Sequence, residues 1–331
     1  MRILLSSVGR RGYLVRFFKE ALDPGDEIWG GDYSPYASAF HNCDHSVILP
    51  EVTDPNYVPE IINLCRKLKI NMIIPLIDPE LEVLSLQREL FVQDGILTVV
   101  SPYRSVETCY DKFLTYQFCL KNSIAAPLTT VDIQEAKQLI SRGRLTWPLV
   151  VKPRKGSASA NITVCCDMIQ LDAAFESCPQ PIIQQYIDGA EYGYDIFNDI
   201  DFRPLGVFCK RKIAMRAGET DKAVSTDDPQ LIAFGLKIAQ SLEIFGPMDV
   251  DVMVGSDGPQ LLEVNPRFGG GYPCAHSCGA DFPGKLIKIA RGEKLTPNIG
   301  SYPSGIYMFK QDEILNCNQQ KIDSFKDYRL L

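Results

Sequence analysis

No stretch of the chain approaches the roughly 20 consecutive apolar residues that a membrane-spanning helix needs, so no membrane segment is expected. Basic charge is not in excess either. The 34 Lys and Arg residues stand against 41 Asp and Glu, a net charge of −7, which argues against bulk affinity for nucleic acid or anionic lipid. A local basic pocket around a nucleotide remains compatible with it. Met1 to Val8 is too short for the apolar region of a signal peptide and shows no cleavage pattern; it reads as a first strand. The 11 cysteines are odd in number and irregularly spaced, so reduced thiols in a cytoplasmic protein are expected rather than a disulfide framework. Cys274, His276 and Cys278 lack the second ligand pair of a zinc site. Histidine is scarce: His41, His45 and His276 are the only three, and none is placed for a nucleophilic triad. There is no internal repeat and no low-complexity segment. Neither phosphate-binding fingerprint occurs: Gly9-Arg10-Arg11-Gly12 is not Gly-x-Gly-x-x-Gly, and no Gly-x-x-x-x-Gly-Lys-Ser/Thr is present. The first absence counts against a nicotinamide-dependent dehydrogenase.

What is present is a soluble-type composition, 45% hydrophobic and 23% charged, over 331 residues, enough for two or three packed units. Residues 1–104 alternate short apolar runs with helical patterns, which predicts a doubly wound α/β unit. Strands are expected at Ile3 to Ser6, Glu27 to Gly31, Ser46 to Leu49 and Asn71 to Ile77, and helices after Gly12 and over Tyr57 to Lys67. Arg10 and Arg11 suit either an anion at a helix N-terminus or a solvated turn. Residues 105 to 122 read as one helix containing Asp111 and Lys112.

After Pro127 the pattern changes. A helix over 132–142 leads to a strand from Trp147 to Pro153, a loop of small residues from Arg154 to Ala160, and a returning strand over Ile162 to Cys166. Such a tip leaves backbone amides free to lie over phosphates, with Lys152 at the end of the first strand. Pro181 to Ile187 is a further strand. Tyr192 to Phe197 and Leu205 to Arg211 extend a second sheet that carries the basic run Lys210-Arg211-Lys212. That run, with Arg216, is either a solvated face or part of a substrate pocket.

The most informative stretch is Leu261-Leu262-Glu263-Val264-Asn265-Pro266-Arg267, followed by Phe268 and Gly269-Gly270-Gly271. On a strand, Glu263, Asn265 and Arg267 share one face. A carboxylate, an amide oxygen and a guanidinium are poor core material, but they suit a hard cation and the phosphate it neutralises. The run Met248 to Val254 lies just upstream, so a hairpin is expected. The symmetric register pairs Val254 with Gln260, and therefore Asp251 with Glu263. Like charges directly opposite destabilise a hairpin unless something sits between them, and a divalent ion with oxygen ligands would remove the conflict.

In this order the features resemble the ATP-grasp superfamily, most closely proteins similar to the large subunit of carbamoyl phosphate synthetase, over nearly the whole chain. The resemblance implies a doubly wound pre-ATP-grasp α/β domain (1–104), a first ATP-grasp lobe with a phosphate loop (105–182), a second, α+β lobe with a metal site (183–300), and a C-terminal extension (301–331). It implies that Lys112 and Lys152 hold ATP phosphates and that Lys155, Gly156, Ser157 and Ser159 belong to the flexible phosphate loop, here with a single glycine. Gln184, Gln185, Tyr186 and Ile187 resemble the linker that receives adenine, and Glu191 matches the ribose-binding glutamate. Asp251, Glu263 and Asn265 match the ligands of Mg²⁺, as two ions, and Arg267 the arginine that stabilises the transferred phosphoryl group. Lys212 and Arg216 are assigned with it to catalysis, and the acceptor pocket is expected around Lys210 to Lys212, Arg216 and Gly269 to Tyr272. The activity implied is an ATP-dependent ligase that turns a carboxylate into an acyl phosphate for attack by an amine. The alternatives are phosphorylation of carbamate or bicarbonate and a non-catalytic ATP-binding module. Partners are then small molecules, and the commonest assembly would be a homodimer.

Overall fold

The computed structural model describes residues 1–156 and 161–330. The N-terminal alternation becomes β1 (Arg2–Ser6), α1 (Gly12–Ala21), β2 (Glu27–Asp32), β3 (His45–Ile48), α2 (Tyr57–Leu68), β4 (Met72–Pro75), α3 (Asp78–Leu86), α4 (Arg88–Gln93) and β5 (Leu97–Thr98). The strands pair in parallel in the order β3-β2-β1-β4-β5. Their apolar runs are buried on both faces, as a parallel sheet covered by helices requires. The order reverses between β1 and β4, and ligands of open α/β sheets bind outside the carboxyl ends of such strands. Gly9 follows β1 there and Asp78 follows β4.

The single helix expected over 105–122 is two helices, α5 (Tyr103–Tyr110) and α6 (Lys112–Lys121). Asp111 breaks them: its backbone is extended, and its carboxylate caps α6 by accepting from the amides of Phe113 (3.0 Å) and Leu114 (3.1 Å). The same carboxylate receives Arg154 Nε at 2.6 Å. The interruption places Lys112 at the first turn of α6, facing the strand that carries Lys152.

That strand belongs to the first lobe: β6 (Thr129–Thr130), α7 (Ile133–Ser141), β7 (Leu149–Pro153), β8 (Thr163–Cys165), α8 (Met168–Ser177) and β9 (Pro181–Gln185), in a sheet ordered β6-β9-β7-β8. Leu149, Val151 and Ile183 pack on α7 and α8. Lys152 and Gln184 share the opposite face, because Lys152 pairs with Ile182 and Val150 with Gln184.

The second lobe contains β10 (Ala190–Asn198), β11 (Pro204–Arg216), β12 (Glu219–Thr226), α9 (Pro229–Ser241), β13 (Gly246–Gly255), β14 (Gly258–Asn265), α10 (Tyr272–Ser277) and α11 (Phe282–Ala290). Its sheet is antiparallel in the order β14-β13-β10-β11-β12. One face carries Tyr194, Ile196, Val207, Val250 and Val252 against Ile238 and Ala239 of α9. The segment after α11 adds β15 (Asn298–Ile299) beside β11 and β16 (Tyr307–Phe309) beside β12. It then forms α12 (Gln319–Asp323) and ends with β17 (Lys326–Asp327) beside β3, so one tail is stitched into both sheets. One core runs through both parts: Leu14 and Phe18 of α1 lie in the same buried cluster as Phe208, Phe268, Phe282 and Leu286.

Because Asp111 both caps α6 and holds Arg154, Asp111→Ala is expected to cost about 2–4 kcal/mol in urea unfolding. Replacing the half-exposed Arg154 by Ala should cost less.

Candidate active site

The second face of the antiparallel sheet is charged. Residues paired directly across strands point the same way, so the registers Glu191↔Met253, Gly193↔Asp251, Asp195↔Asp249, Gly193↔Lys210 and Asp251↔Glu263 put Glu191, Asp195, Lys210, Asp249, Asp251 and Glu263 on one side. Lys212, two residues beyond Lys210 on β11, joins them. The Asp251–Glu263 pairing is as expected, although the hairpin reaches it by another register. Val254 pairs with Pro259 and Met253 with Gln260 around a two-residue Ser256-Asp257 turn, and a bulge between Asp251 and Val252 restores the pair.

The like-charge conflict is met by lysines. Lys112 Nζ lies 3.1 Å from Glu263 Oε1 and donates to the Gly156 carbonyl at 2.6 Å. Lys212 Nζ lies 2.6 Å from Asp251 Oδ1 and 2.8 Å from Glu191 Oε1. Lys212 starts on β11 and Asp251 on β13, so its stem crosses β10, and it crosses at Gly193. A Cβ there would lie 3.1 Å from Lys212 Cε and 3.3 Å from Lys210 Cε. Burial disfavours the charge of Lys212, but Asp251 and Glu191 outweigh that and hold its pKa above the lysine range. Lys210 is fully buried on Asp195, and Arg211 between the two lysines is exposed, as strand alternation demands. Lys210 is therefore a buried ion-pair member rather than the acceptor contact that was expected.

Lys152 is 7% exposed, and burial lowers its pKa to about 8, partly offset by Glu263 and lowered further by Lys112. Asp249, which sequence reasoning passed over, is pushed up to about 6 by burial and by Asp251, with Arg267, Lys210 and Lys212 pulling it back. The alternation that selects Asp251 also selects Asp249. Arg267 reaches into the N-terminal domain: its Nε and Nη2 bond Asp78 Oδ2 at 3.2 and 3.0 Å, and its Nη1 lies 3.6 Å from Asp249. Nothing in the sequence links Asp78 to Arg267.

The three glycines after Phe268 lie directly on this network. A Cβ at Gly269 would lie 2.3 Å from Asp249 Cγ, one at Gly270 2.8 Å from Glu219 Cδ, and one at Gly271 2.6 Å from Lys210 Cε. Glycine is needed here for close approach, not for unusual dihedrals.

The remaining candidates are spread around the cluster. Gln184 is buried and donates to Thr129 Oγ1 at 2.9 Å. The Gln185 side chain faces away, bonded to both the amide and the carbonyl of Thr146 at 2.9 Å, and its own amide is taken by the Leu128 carbonyl. Tyr186 is exposed, and Ile187 abuts Gly255. Lys155 turns to Glu82 at 3.6 Å and over the Tyr110 ring. Arg216 stands apart at the far end of β11, paired with Asp221 at 3.1 Å and Asp312 at 2.7 Å. Ser157 and Ser159 lie outside the described residues. A cavity of about 730 Å³ is lined by Arg10, Tyr13, Arg216, Glu219, Lys310 and Asp312 among others. Lys112, Lys152, Asp251 and Glu263 are not in its lining, so it adjoins the charged face rather than containing it.

Asp251, Glu263 and Asn265 offer hard oxygen donors, the type Mg²⁺ prefers. Among the described residues no group of three or more His, Cys, Asp or Glu side chains is placed to hold a metal ion; the donors here are two carboxylates and one amide oxygen.

An α/β domain followed by two antiparallel lobes that face each other across lysines and carboxylates defines a nucleotide-clamp architecture. The comparisons with known proteins identify it: the chain belongs to the ATP-grasp superfamily. The family description "ATP-grasp domain" matches residues 109–271, and "PylC-like, N-terminal domain" matches residues 3–100. The chain is similar to carbamoyl-phosphate synthase of Methanobrevibacter smithii, 24% identical over 239 residues, covering 68% of this chain and 65% of that protein. It is 28% identical to D-alanine–D-alanine ligase of Thermotoga maritima over 154 residues, covering 40% of this chain and 49% of the ligase. Its fold matches biotin carboxylase from Campylobacter jejuni in a β,γ-ATP complex with a TM-score of 0.75 at 16% identity, covering 92% of this chain and 74% of that one. The chain thus spans about half to two thirds of these curated relatives. Among the described residues no helix is long and apolar enough to cross a membrane.

Since Lys212 crosses β10 over Gly193 and the Lys210 stem lies against it, Gly193→Val should strand Asp251 and Asp195 without their cations. A loss of about 3 kcal/mol in denaturant unfolding is expected, with Gly193→Ala much milder.

Proposed function

We propose that the protein is an ATP-dependent ligase that converts a carboxylate to an acyl phosphate and passes the acyl group to an amine. The observation that carries this reading is the convergence of Lys112, Lys152, Lys212, Asp251, Glu263 and Arg267, from α6, four strands of two sheets and the turn after β14, on one charged face. Binding of adenine alone would require none of these carboxylates.

In this reading ATP lies between the lobes. Gln184 accepts from the adenine amino group on the inner face of β9, with the Gln185 carbonyl and the Ile187 amide at the ring edge. The Gln185 amide is excluded because the Leu128 carbonyl takes it. Glu191 holds the ribose, and Lys112 and Lys152 hold phosphate oxygens beside the loop that begins at Lys155 and Gly156. Asp251, Glu263 and Asn265 hold Mg²⁺, as two ions. Bound there, Mg²⁺ supplies charge neutralisation along the phosphates and polarises the phosphorus–oxygen bond. Lys112 and Lys212 must then turn from the carboxylates toward phosphate oxygens. Arg267, fixed by Asp78, stabilises charge building on the transferred phosphoryl group. The substrate carboxylate attacks the γ-phosphorus and releases ADP. The amine then displaces phosphate and gives up a proton. The cavity beside Glu219 receives the acceptor. Phosphorylation of carbamate or bicarbonate is the second reading, favoured by the 239-residue match to carbamoyl-phosphate synthase.

A carboxylate-by-amine screen should find ADP and phosphate release that depends on one carboxylate. Glu263→Ala should lower turnover by about 100-fold or more; unchanged turnover would sink the proposal. Lys152 has a second signature. With its pKa lowered from 10.5 to about 8, it is half neutral at pH 8, and a bound phosphate would restore its proton. Calorimetry in buffers of different ionisation enthalpy should show uptake of about half a proton per ATP at pH 8 and almost none at pH 6.5. Lys152→Met should abolish the uptake.

A further inference from the structure

The C-terminal segment places an ammonium group inside the large cavity. Lys310 Nζ lies 3.0 Å from Glu219 Oε2 and 5.8 Å from the centre of the Tyr13 ring. A carboxylate on one side and an aromatic face on the other are the two groups that recognise an alkylammonium. Glu219 and Tyr13 both line the 730 Å³ cavity, beside apolar wall from Phe17, Pro273 and Met308. The carboxylate is set close to the reacting groups, because Glu219 lies against Gly270, three residues beyond Arg267. Its other cation, Arg10 at 3.4 Å from Oε1, is well exposed. The Tyr13 hydroxyl is buried with no partner among the described residues, so it is the ring that faces the ammonium group. Lys310 itself belongs to neither family match, since these end at residues 100 and 271; it comes from a tail held by pairing of β16 with β12.

We propose that Glu219 and Tyr13 form a binding site for the ammonium group of an alkylamine ligand, and that Lys310 occupies this site as an internal surrogate which the ligand displaces. Burial opposes the charge of Glu219, but Lys310 and Arg10 hold its carboxyl below the usual range. It therefore suits holding an ammonium rather than accepting its proton. The identity of this amine with the acceptor rests on the ligase reading; the existence of the site does not.

The test uses the full chain without ATP and n-butylammonium chloride as the probe, with sodium chloride and sodium butyrate as controls. Thermal unfolding is followed for the wild type, Lys310→Ala, and Lys310→Ala combined with Glu219→Gln. At tens of millimolar, n-butylammonium should raise the Tm of Lys310→Ala by about 1–2 °C, and the wild type by less because Lys310 competes. The double variant should not respond. Equal shifts in all three proteins, or none in Lys310→Ala, would overturn the site. A response in Lys310→Ala with none in the wild type at any concentration would overturn displacement. Lys310→Met, which keeps the apolar stem, replaces Lys310→Ala if that variant does not fold. Because no turnover is read, failure here is separable from failure of the phosphate-release screen.

Discussion

Five carboxylates on one sheet face are tolerable only if cations reach them. Glu191, Asp195, Asp249, Asp251 and Glu263 are answered by Lys112, Lys210, Lys212 and Arg267. Much else in the chain follows from that requirement. Gly193 leaves room for the Lys212 stem to cross β10 and for the Lys210 stem to lie against it, and Gly269 to Gly271 let backbone lie on Asp249, Glu219 and Lys210. A face this charged is costly as mere structure, since buried ion pairs repay their desolvation poorly. Under the proposed function its use lies in exchange, with cations that now rest on carboxylates moving to phosphate oxygens as metal ions take their places.

The same charges join the parts of the molecule. Arg267 is oriented by Asp78 at the switch point of the N-terminal sheet, and Asp111 ties the start of α6 to Arg154 at the end of β7. Glu219 gathers Arg10 from the N-terminal domain and Lys310 from the tail. Arg267 is therefore set by a residue 189 positions away, which makes the N-terminal domain part of the charged cluster.

The sequence was informative where a period or a motif carried the signal. The parallel domain, the loop hairpin, the antiparallel lobe and the shared face of Glu263 and Asn265 were legible from alternation and order, but β14 ends at Asn265, so Arg267 lies beyond the strand on which it was expected. The Asp251–Glu263 pair was foreseen, but through a symmetric register; the actual hairpin has a tighter turn and a bulge, which no residue pattern disclosed. The metal argued from that pair is not required by repulsion alone, since two lysines already neutralise it. The break at Asp111 was hidden because aspartate inside a helical pattern and aspartate at an N-cap look alike until Arg154 arrives from elsewhere. The basic run Lys210 to Lys212 was visible, but its split into two inward lysines and one exposed arginine needed the strand assignment. Asp78 and Lys310 could not have been found, because their partners lie in other units of the chain.

The central claim is that this charged face is built for Mg²⁺ and ATP together. The most direct measurement is calorimetric titration of ATP with and without Mg²⁺, on the wild type and on Asp251→Asn combined with Glu263→Gln, with NAD as a control ligand. The account predicts ATP binding that Mg²⁺ strengthens in the wild type, loss of that strengthening in the double variant, and no binding of NAD. ATP binding indifferent to Mg²⁺ in the wild type, or Mg²⁺ dependence surviving in the double variant, would contradict it.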